Sequence, residues 1–360
     1  MDFAINSDGS AMDMMGLTSN VTTSTNVSTL KQMKPKLEDS KPNSTFPSGW
    51  FRVAFSNELK PGQVRPLHYF DKHLVLFRTE YGTAHVLDAY CPHMGSHLGY
   101  GGHIKGNNIY CPYHTWAFDS QGSCVGVPYS HKTPPKVRIP TWPVCEVDGL
   151  IMVYYHPARK PPVWKFPGIQ EWSSQQWSPF RRRTWQIRAD IREIGENNLH
   201  DLHFFSLHGS RFRSAETVAL KLDGPMFQRK LASQIFFSDQ FKIEADSTQI
   251  FTQYGMGCVT IVSQIEFKVP LCMLNVVLTT PIDQDRIETC ILLSTRKLLF
   301  GMANPFLNWL AMIEVASQLD GEIDVFENKI YLEKELIYPE DGPIVKHRQW
   351  TQQFYSESEI

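Results

Sequence analysis

Two short runs hold the residue types best suited to redox chemistry. Cys91-Pro92-His93 is a C-x-H half and Cys111-Pro112-Tyr113-His114 a C-x-x-H half, with 17 residues between His93 and Cys111. Each half offers one thiolate and one imidazole from a loop, expected at the tip of a β-hairpin. Two thiolates on one iron and two imidazoles on the other make a mixed-ligand 2Fe–2S cluster, whose potential lies above that of an all-thiolate centre. A Cys2His2 zinc site is the competing reading, but zinc modules favour C-x-x-C pairs and separated H-x-x-x-H pairs, which a C-x-H half does not fit. Pro92, Gly95, Gly106 and Pro112 suit tight shielding loops. His97 and His103 read as polar loop residues, and Cys124 as a small buried hydrophobe.

A second run, ENNLHDLHFFSLHG at 196–209, places His203 and His208 five apart near the end of an expected helix. Two neutral imidazoles and a distant carboxylate form the facial triad of non-haem Fe(II) sites, which leaves positions open for O2 and substrate. On their own two such histidines say little; about 90 residues downstream of the first motif they say much more. The carboxylate must come from a late helix, where QLDGEIDVFENK offers Asp320, Glu322 and Asp324. Val315, Leu319, Ile323, Phe326 and Ile330 form an apolar stripe at helical spacing. Glu322 lies three after Leu319 and four before Phe326, on that inward face. Asp320, Asp324 and Glu327 fall on the adjoining, solvated face.

These loops need a scaffold. Residues 1–45 are rich in Ser, Thr, Asn and Met, poor in aromatics, and read as a disordered tail. From 46 to 160, short β-like runs (WFRVAF, HLVLFRT, AHVLDAY, NNIYCPY, LIMVYYH) separated by Gly, Pro and Asn turns predict a compact all-β domain. A proline-rich linker at 156–167 leads into a second domain, 161–360, with a strand at WQIRADI, helical spacing at 194–207, and several strands between 228 and 295. A long helix is expected over 305–332. The fold class is α+β. The segment 298–313 is apolar on more than one face. Phe306, Trp309, Leu310 and Ile313 share one side and Leu307 and Met312 lie off it. That reads first as a core helix, and second as a substrate-entry flap or peripheral membrane contact.

Composition narrows the classes. Apolar residues make up 42% of 360, enough for a sizeable core, and the net charge of −2 argues against nucleic acid. No apolar run reaches the ~18–20 residues of a membrane span. Seven scattered cysteines do not form a disulfide framework, and no signal peptide is recognisable, so a cytoplasmic, reducing location is expected. No GxGxxG fingerprint for NAD or flavin occurs, so electrons must come from elsewhere.

With DAYCPHMG, CPYHTWAFDSQGSC, VPYSHKTPP, VDGLIMVYYH, HFFSLH and the tail EDGPIVKHRQWTQQFY, the chain resembles the oxygenase component of Rieske non-haem iron oxygenases over about 48–355. Within that class it is most similar to ketosteroid 9α-hydroxylases and cholesterol 7-desaturases. The resemblance implies a 2Fe–2S cluster on Cys91, His93, Cys111 and His114, and a mononuclear Fe(II) on His203, His208 and Glu322. It also implies a homotrimer, and electrons from NAD(P)H through a separate ferredoxin or flavin reductase. Registering on Asn328-Lys329 favours position 322, although the family usually has Asp there. Asn197, His200 and Asp201 are the candidate catalytic residues. The family normally places an acidic residue at position 200, to link one subunit's cluster histidine to its neighbour's iron histidine. Here His200 could bridge, Asp201 could replace it after a local distortion, or His200 could be a bystander. The expected substrate is an apolar polycycle such as a steroid, sterol or terpenoid, bound between sheet and iron helix near Ile250, Phe251, Val259, Ile261, Leu274, Val276 and Val277. The alternatives are an oxygenase acting on a non-steroid aromatic or nitrogenous natural product, or an electron-transfer Rieske protein without oxygenase activity.

Overall fold

The computed structural model describes residues 46–130, 136–199, 212–238, 243–267, 269–332, 336–338 and 341–355. Eleven short strands form the first part: β1 (Gly49–Phe55), β2 (Val64–Tyr69), β3 (Lys72–Arg78), β4 (Ala84–Asp88), β5 (His103–Lys105), β6 (Asn108–Tyr110), β7 (Ala117–Phe118), β8 (Cys124–Gly126), β9 (Thr141–Trp142), β10 (Val144–Val147) and β11 (Leu150–Tyr155). They make three small sheets, ordered β1-β11-β10, β2-β3-β4-β9 and β5-β6-β7-β8. The β-branched and aromatic runs became strands because their alternation feeds two cores at once. On β3, Leu74 and Leu76 join the main core, while Val75 and Phe77 join the core beneath the cysteine loops. The β10–β11 hairpin turns at Asp148-Gly149, both at positive φ (51° and 69°), as a two-residue turn requires.

The second part is a seven-stranded antiparallel sheet with helices. Its elements are β12 (Arg181–Ile187), α1 (Ile191–Asn197), β13 (Phe212–Asp223), β14 (Met226–Ser238), β15 (Ile243–Tyr254), β16 (Cys258–Ile265), β17 (Leu271–Pro281), β18 (Ile287–Thr295), α2 (Asn304–Asn328) and α3 (Ile344–Thr351). The sheet order is β12-β18-β17-β16-β15-β14-β13, so β13 to β18 meander and β12 caps the far edge. On β17, Leu274, Val276 and Leu278 pack with Trp50, Phe55, Leu150, Met152 and Tyr154 of the first part. The alternate residues Met273, Asn275 and Val277 look the other way, into a cavity.

Several expectations change. The first cysteine loop sits at the tip of a minimal hairpin closed by one antiparallel bridge, Tyr90 to His97, between β4 and β5 rather than by two full strands. The second loop lies between paired β6 and β7. The 156–167 strap is pinned down, since Trp50 Nε1 donates to Trp164 O (2.9 Å) and Arg159 to Asp88 (2.7 Å). The strand expected at WQIRADI starts earlier, at Arg181, and Ile191 already opens α1, whose N-cap is Asp190. The long helix ends at Asn328, so Ile330 lies beyond it. The face of Phe306, Trp309, Leu310 and Ile313 points outward and is about half exposed or more, while Met312 is buried and Leu307 lines the cavity. Strand β13 and helix α3 were not anticipated. No helix among the described residues is long and apolar enough to cross a membrane.

Candidate active site

The two cysteine loops repeat one backbone pattern. In the first, Cys91 N donates to Ser96 O (2.9 Å) and Gly95 N to Cys91 O (2.9 Å). In the second, Cys111 N donates to Trp116 O (2.9 Å) and Thr115 N to Cys111 O (3.0 Å). Both loops turn through a left-handed residue at the same offset, Gly95 (φ 71°) and Thr115 (φ 56°). Local sequence thus folds each half into the same cradle and presents the cysteine at its base.

The four donors meet two and two. Cys91 and Cys111 are both 2% exposed, and their thiols lie within hydrogen-bond reach of each other. The rings of His93 and His114 are 4.8 Å apart. Trp116 stacks on His93 at 4.5 Å and 7° and donates its indole N–H to Tyr129 (2.6 Å). Burial pushes the Cys91 thiol up to about 11, and the neighbouring Cys111 adds to the rise. A thiol held so high ionises readily only beside a metal's positive charge. His114 Nδ1 is buried without a protein hydrogen-bond partner. Paired thiols, paired imidazoles and an orphaned ring nitrogen fit a mixed-ligand binuclear cluster better than one zinc. His97 and His103 stay outside this set: His97 Nδ1 accepts from Gly99 N (3.0 Å), and His103 stacks on Tyr110. Cys124 is buried in the same core, as a small hydrophobe should be.

A cavity of about 590 Å³ lies between the sheet and α2. Of the seven strand residues proposed for it, Phe251, Ile261 and Val277 line it. Ile250, Val259, Leu274 and Val276 do not, and Leu274 and Val276 are packed in the core on the opposite face. Period-two alternation turns Ile250, Leu274 and Val276 to the other face, whereas Val259 shares the face of Ile261 and Val277 and packs into the main core. The lining adds Ile194, Met273, Ile291 and Phe326, and among its described residues there is no Lys, Arg or His. Its polar groups include Gln249 and Asn275, whose carboxamide oxygens are buried without protein partners.

Glu322 is buried on the cavity wall at 6% exposure. Asn197 Nδ2, from the end of α1, donates to its Oε2 (2.9 Å). Asp320 is exposed, accepts from Trp185 Nε1 (2.8 Å) and pairs with Arg183 (3.0 Å), while Asp324 is exposed. Of the three candidate carboxylates only Glu322 faces the cavity. A buried carboxylate needs pairing or a metal, and Asn197 orients this one. His200, Asp201, His203 and His208 lie outside the described residues. Asn197 and Asn198, at the end of α1, line the cavity just before that segment begins.

Sequence reasoning missed Gln249 and Asn275. An Asn inside the apolar strand LCMLNVVLTT is disfavoured there, and that mismatch was the available signal. It also missed what supports α1 from behind, namely His347 against Gly195 and Arg348 paired with the helix's own Glu196.

Residues 49–143 match the family described as the Rieske [2Fe-2S] domain, and residues 153–355 that described as the 3-ketosteroid 9alpha-hydroxylase C-terminal domain. A cholesterol 7-desaturase of Ciona intestinalis is 30% identical over 357 residues, covering 92% of this chain and 73% of the relative. The oxygenase component of 3-ketosteroid-9-alpha-monooxygenase from Rhodococcus rhodochrous is 27% identical, covering 87% and 81%. The crystal structure of dicamba monooxygenase bound to dicamba superposes with a TM-score of 0.67 at 18% identity, covering 85% of this chain and 96% of that one, a likeness of fold.

Proposed function

The chain belongs to the Rieske non-haem iron oxygenases, in the branch that carries the 3-ketosteroid 9α-hydroxylase C-terminal domain, and from that premise we propose that it oxidises a steroid or sterol in the cavity beneath α2. The observation that carries the substrate class is the cavity itself: large, lined mainly by apolar side chains, and without a cation among its described lining residues. Small aromatic acids would want such a cation to pair their carboxylate. A polycyclic, uncharged ligand needs none, and Gln249 or Asn275 can hydrogen-bond a single oxygen substituent.

In this reading Cys91, His93, Cys111 and His114 hold the 2Fe–2S cluster, and His203, His208 and Glu322 hold the mononuclear iron. When bound there, the cluster would supply electrons one at a time and the mononuclear iron would supply O2 chemistry. The protein's own part is positional. Asn197 donates to one Glu322 oxygen and so orients the carboxylate, the apolar walls exclude water, and the sheet face fixes which ring carbon lies nearest Glu322. Electrons come from NAD(P)H through a separate ferredoxin or flavin reductase. The chain works as a homotrimer, in which His200, or Asp201 in its place, connects one subunit's cluster to its neighbour's iron.

Reconstitution with a ferredoxin-type reductase, NADH and O2 against a panel of sterols, 3-ketosteroids and aromatic acids tests the reading. The expected outcome is a steroidal product that has gained one oxygen or lost two hydrogens, from protein carrying about three irons per chain. Turnover of an aromatic acid with no steroid converted would overturn the substrate class. About two irons per chain with no turnover would favour an electron carrier.

A further inference from the structure

We propose that the loop at 297–303 and the outer face of the first turns of α2 seat on a lipid bilayer carrying anionic headgroups, so that substrate passes from lipid into the cavity. This rests on the apolar-substrate reading for its purpose, but not for its test. Leu299, Phe300, Met302, Phe306 and Trp309 are all exposed, Phe300 completely, beside Leu310 and Ile313. A contiguous apolar patch of this kind marks an interaction surface. Leu299 and Phe300 sit at positive φ (48° and 57°), a costly conformation for bulky residues, and it holds the Phe300 ring clear of the protein.

The base of the loop is anchored. Asn304, 1% exposed, donates to Thr295 Oγ1 (2.7 Å) and Arg296 O (3.0 Å), and its carbonyl oxygen accepts from Leu298 N (3.0 Å). Asn308 donates to Ser178 Oγ (2.7 Å) and accepts from Thr295 Oγ1 (2.6 Å). These buried amides brace the loop from beneath.

Charge selects the occupant. Arg296 and Lys297 are exposed at the root of the loop, and Arg181 donates to Pro305 O (3.4 Å) at the start of α2. No Asp or Glu occurs between Arg296 and Ile313, and the next acid, Glu314, lines the cavity. Protruding aromatic and aliphatic side chains rimmed by cations match the apolar–headgroup boundary of a bilayer. The cavity reaches the surface at the same place, because Leu307 and Leu310 line it and Leu310 is half exposed. Glu322 lies 12 residues beyond Leu310 on α2, about 18 Å along the helix, which leaves the iron end clear for a neighbouring subunit.

The test is co-sedimentation of the iron-loaded protein with phosphatidylcholine vesicles, with and without phosphatidylserine. The parent should pellet with the mixed vesicles and less with phosphatidylcholine alone. Phe300→Glu should cut the pelleted fraction about tenfold, and Lys297→Gln should weaken binding and flatten its salt dependence. Phe300→Glu should also slow turnover of vesicle-borne substrate while leaving turnover of cyclodextrin-carried substrate unchanged. A parent that stays in the supernatant, or a Phe300→Glu variant that pellets like the parent, overturns the proposal. So does an oligomer that Phe300→Glu splits without any vesicle binding, which would make a second copy the occupant. Vesicle binding without steroid turnover supports the docking surface and sinks the substrate class instead.

Discussion

Glu322 carries the sharpest test at the scale of single residues. It is the carboxylate that both the helix register and the cavity select, and Asn197 donates to one of its oxygens. Glu322→Ala is expected to lose the mononuclear iron and turnover while the visible absorption of the cluster stays, which metal analysis and spectroscopy check together. Asp320→Ala should keep the iron and cost about 1 kcal/mol of stability through the lost Trp185 hydrogen bond. Iron lost in Asp320→Ala and kept in Glu322→Ala would reverse the assignment. At the other centre, His114→Cys replaces the orphaned imidazole with a more electron-donating thiolate and should lower the cluster potential. These residues could be read from sequence because their information is local. Cys-x-His and Cys-x-x-His fix two loops within a few residues, and one helical period decides which carboxylate turns inward. Asn197 could be suspected from its neighbourhood, but its bond to Glu322 spans 125 positions, and no local pattern carries that.

Among the elements, α3 is the one whose role only packing reveals. It backs α1, the helix that ends at the cavity. His347 lies where a Cβ on Gly195 would come within 3.0 Å of its ring, so that position takes glycine for close approach. Arg348 pairs with Glu196 (2.8 Å), and Tyr331 donates to the same carboxylate (3.0 Å). Gly195→Ala is therefore expected to push α1 off α3, lowering both Tm and iron occupancy while the cluster signal survives. His347 is fully enclosed by Phe227, Trp350 and Gln253, with its Nε2–H donating to Gln253 Oε1 (2.9 Å). Burial first, and the Arg348 charge second, push it down to about 3. The unfolded chain binds a proton on this histidine below about 6.5 and the folded chain does not. Stability should therefore fall as pH drops from about 6.5 towards 3, and His347→Gln should flatten that part of a urea-midpoint profile. An unchanged slope would mean that the ring is protonated in place. The sequence hid α3 because IVKHRQWT is mostly polar, with its buried face supplied by Ile344, His347, Trp350 and Thr351. It hid β13 because that edge strand is bulged and largely exposed. It inverted the start of α2 because an apolar stripe marks a face but not which side the protein lies on.

For the whole molecule, the joint between the β-rich first part and the large sheet decides how the two metal sites are held. Arg52 on β1 is 4% exposed and pairs with Glu288 on β18, which also accepts from Tyr69 OH (2.9 Å), and Thr280 Oγ1 donates to Arg52 O (2.7 Å). Around this polar joint Leu274, Val276 and Leu278 of β17 interlock with Trp50, Phe55 and Met152, and Phe166 of the 156–167 strap packs into the same cluster, so all of these set the angle between the two parts. That angle matters if electrons cross between subunits, because a head-to-tail ring closes only at one rotation per copy. Breaking a buried ion pair from one side leaves an uncompensated charge and costs about 3–5 kcal/mol. Glu288→Ala should therefore replace a single calorimetric transition with two, the β-rich part and the sheet unfolding separately, with both metals still bound at low temperature. Replacing both partners, Arg52→Met with Glu288→Leu, removes the stranded charge and should restore one transition. If the double variant also shows two, the apolar interlock rather than the ion pair fails to couple the parts. A ring held by that joint would then fall apart in Glu288→Ala at concentrations where the parent remains associated, which analytical ultracentrifugation on the same samples measures directly.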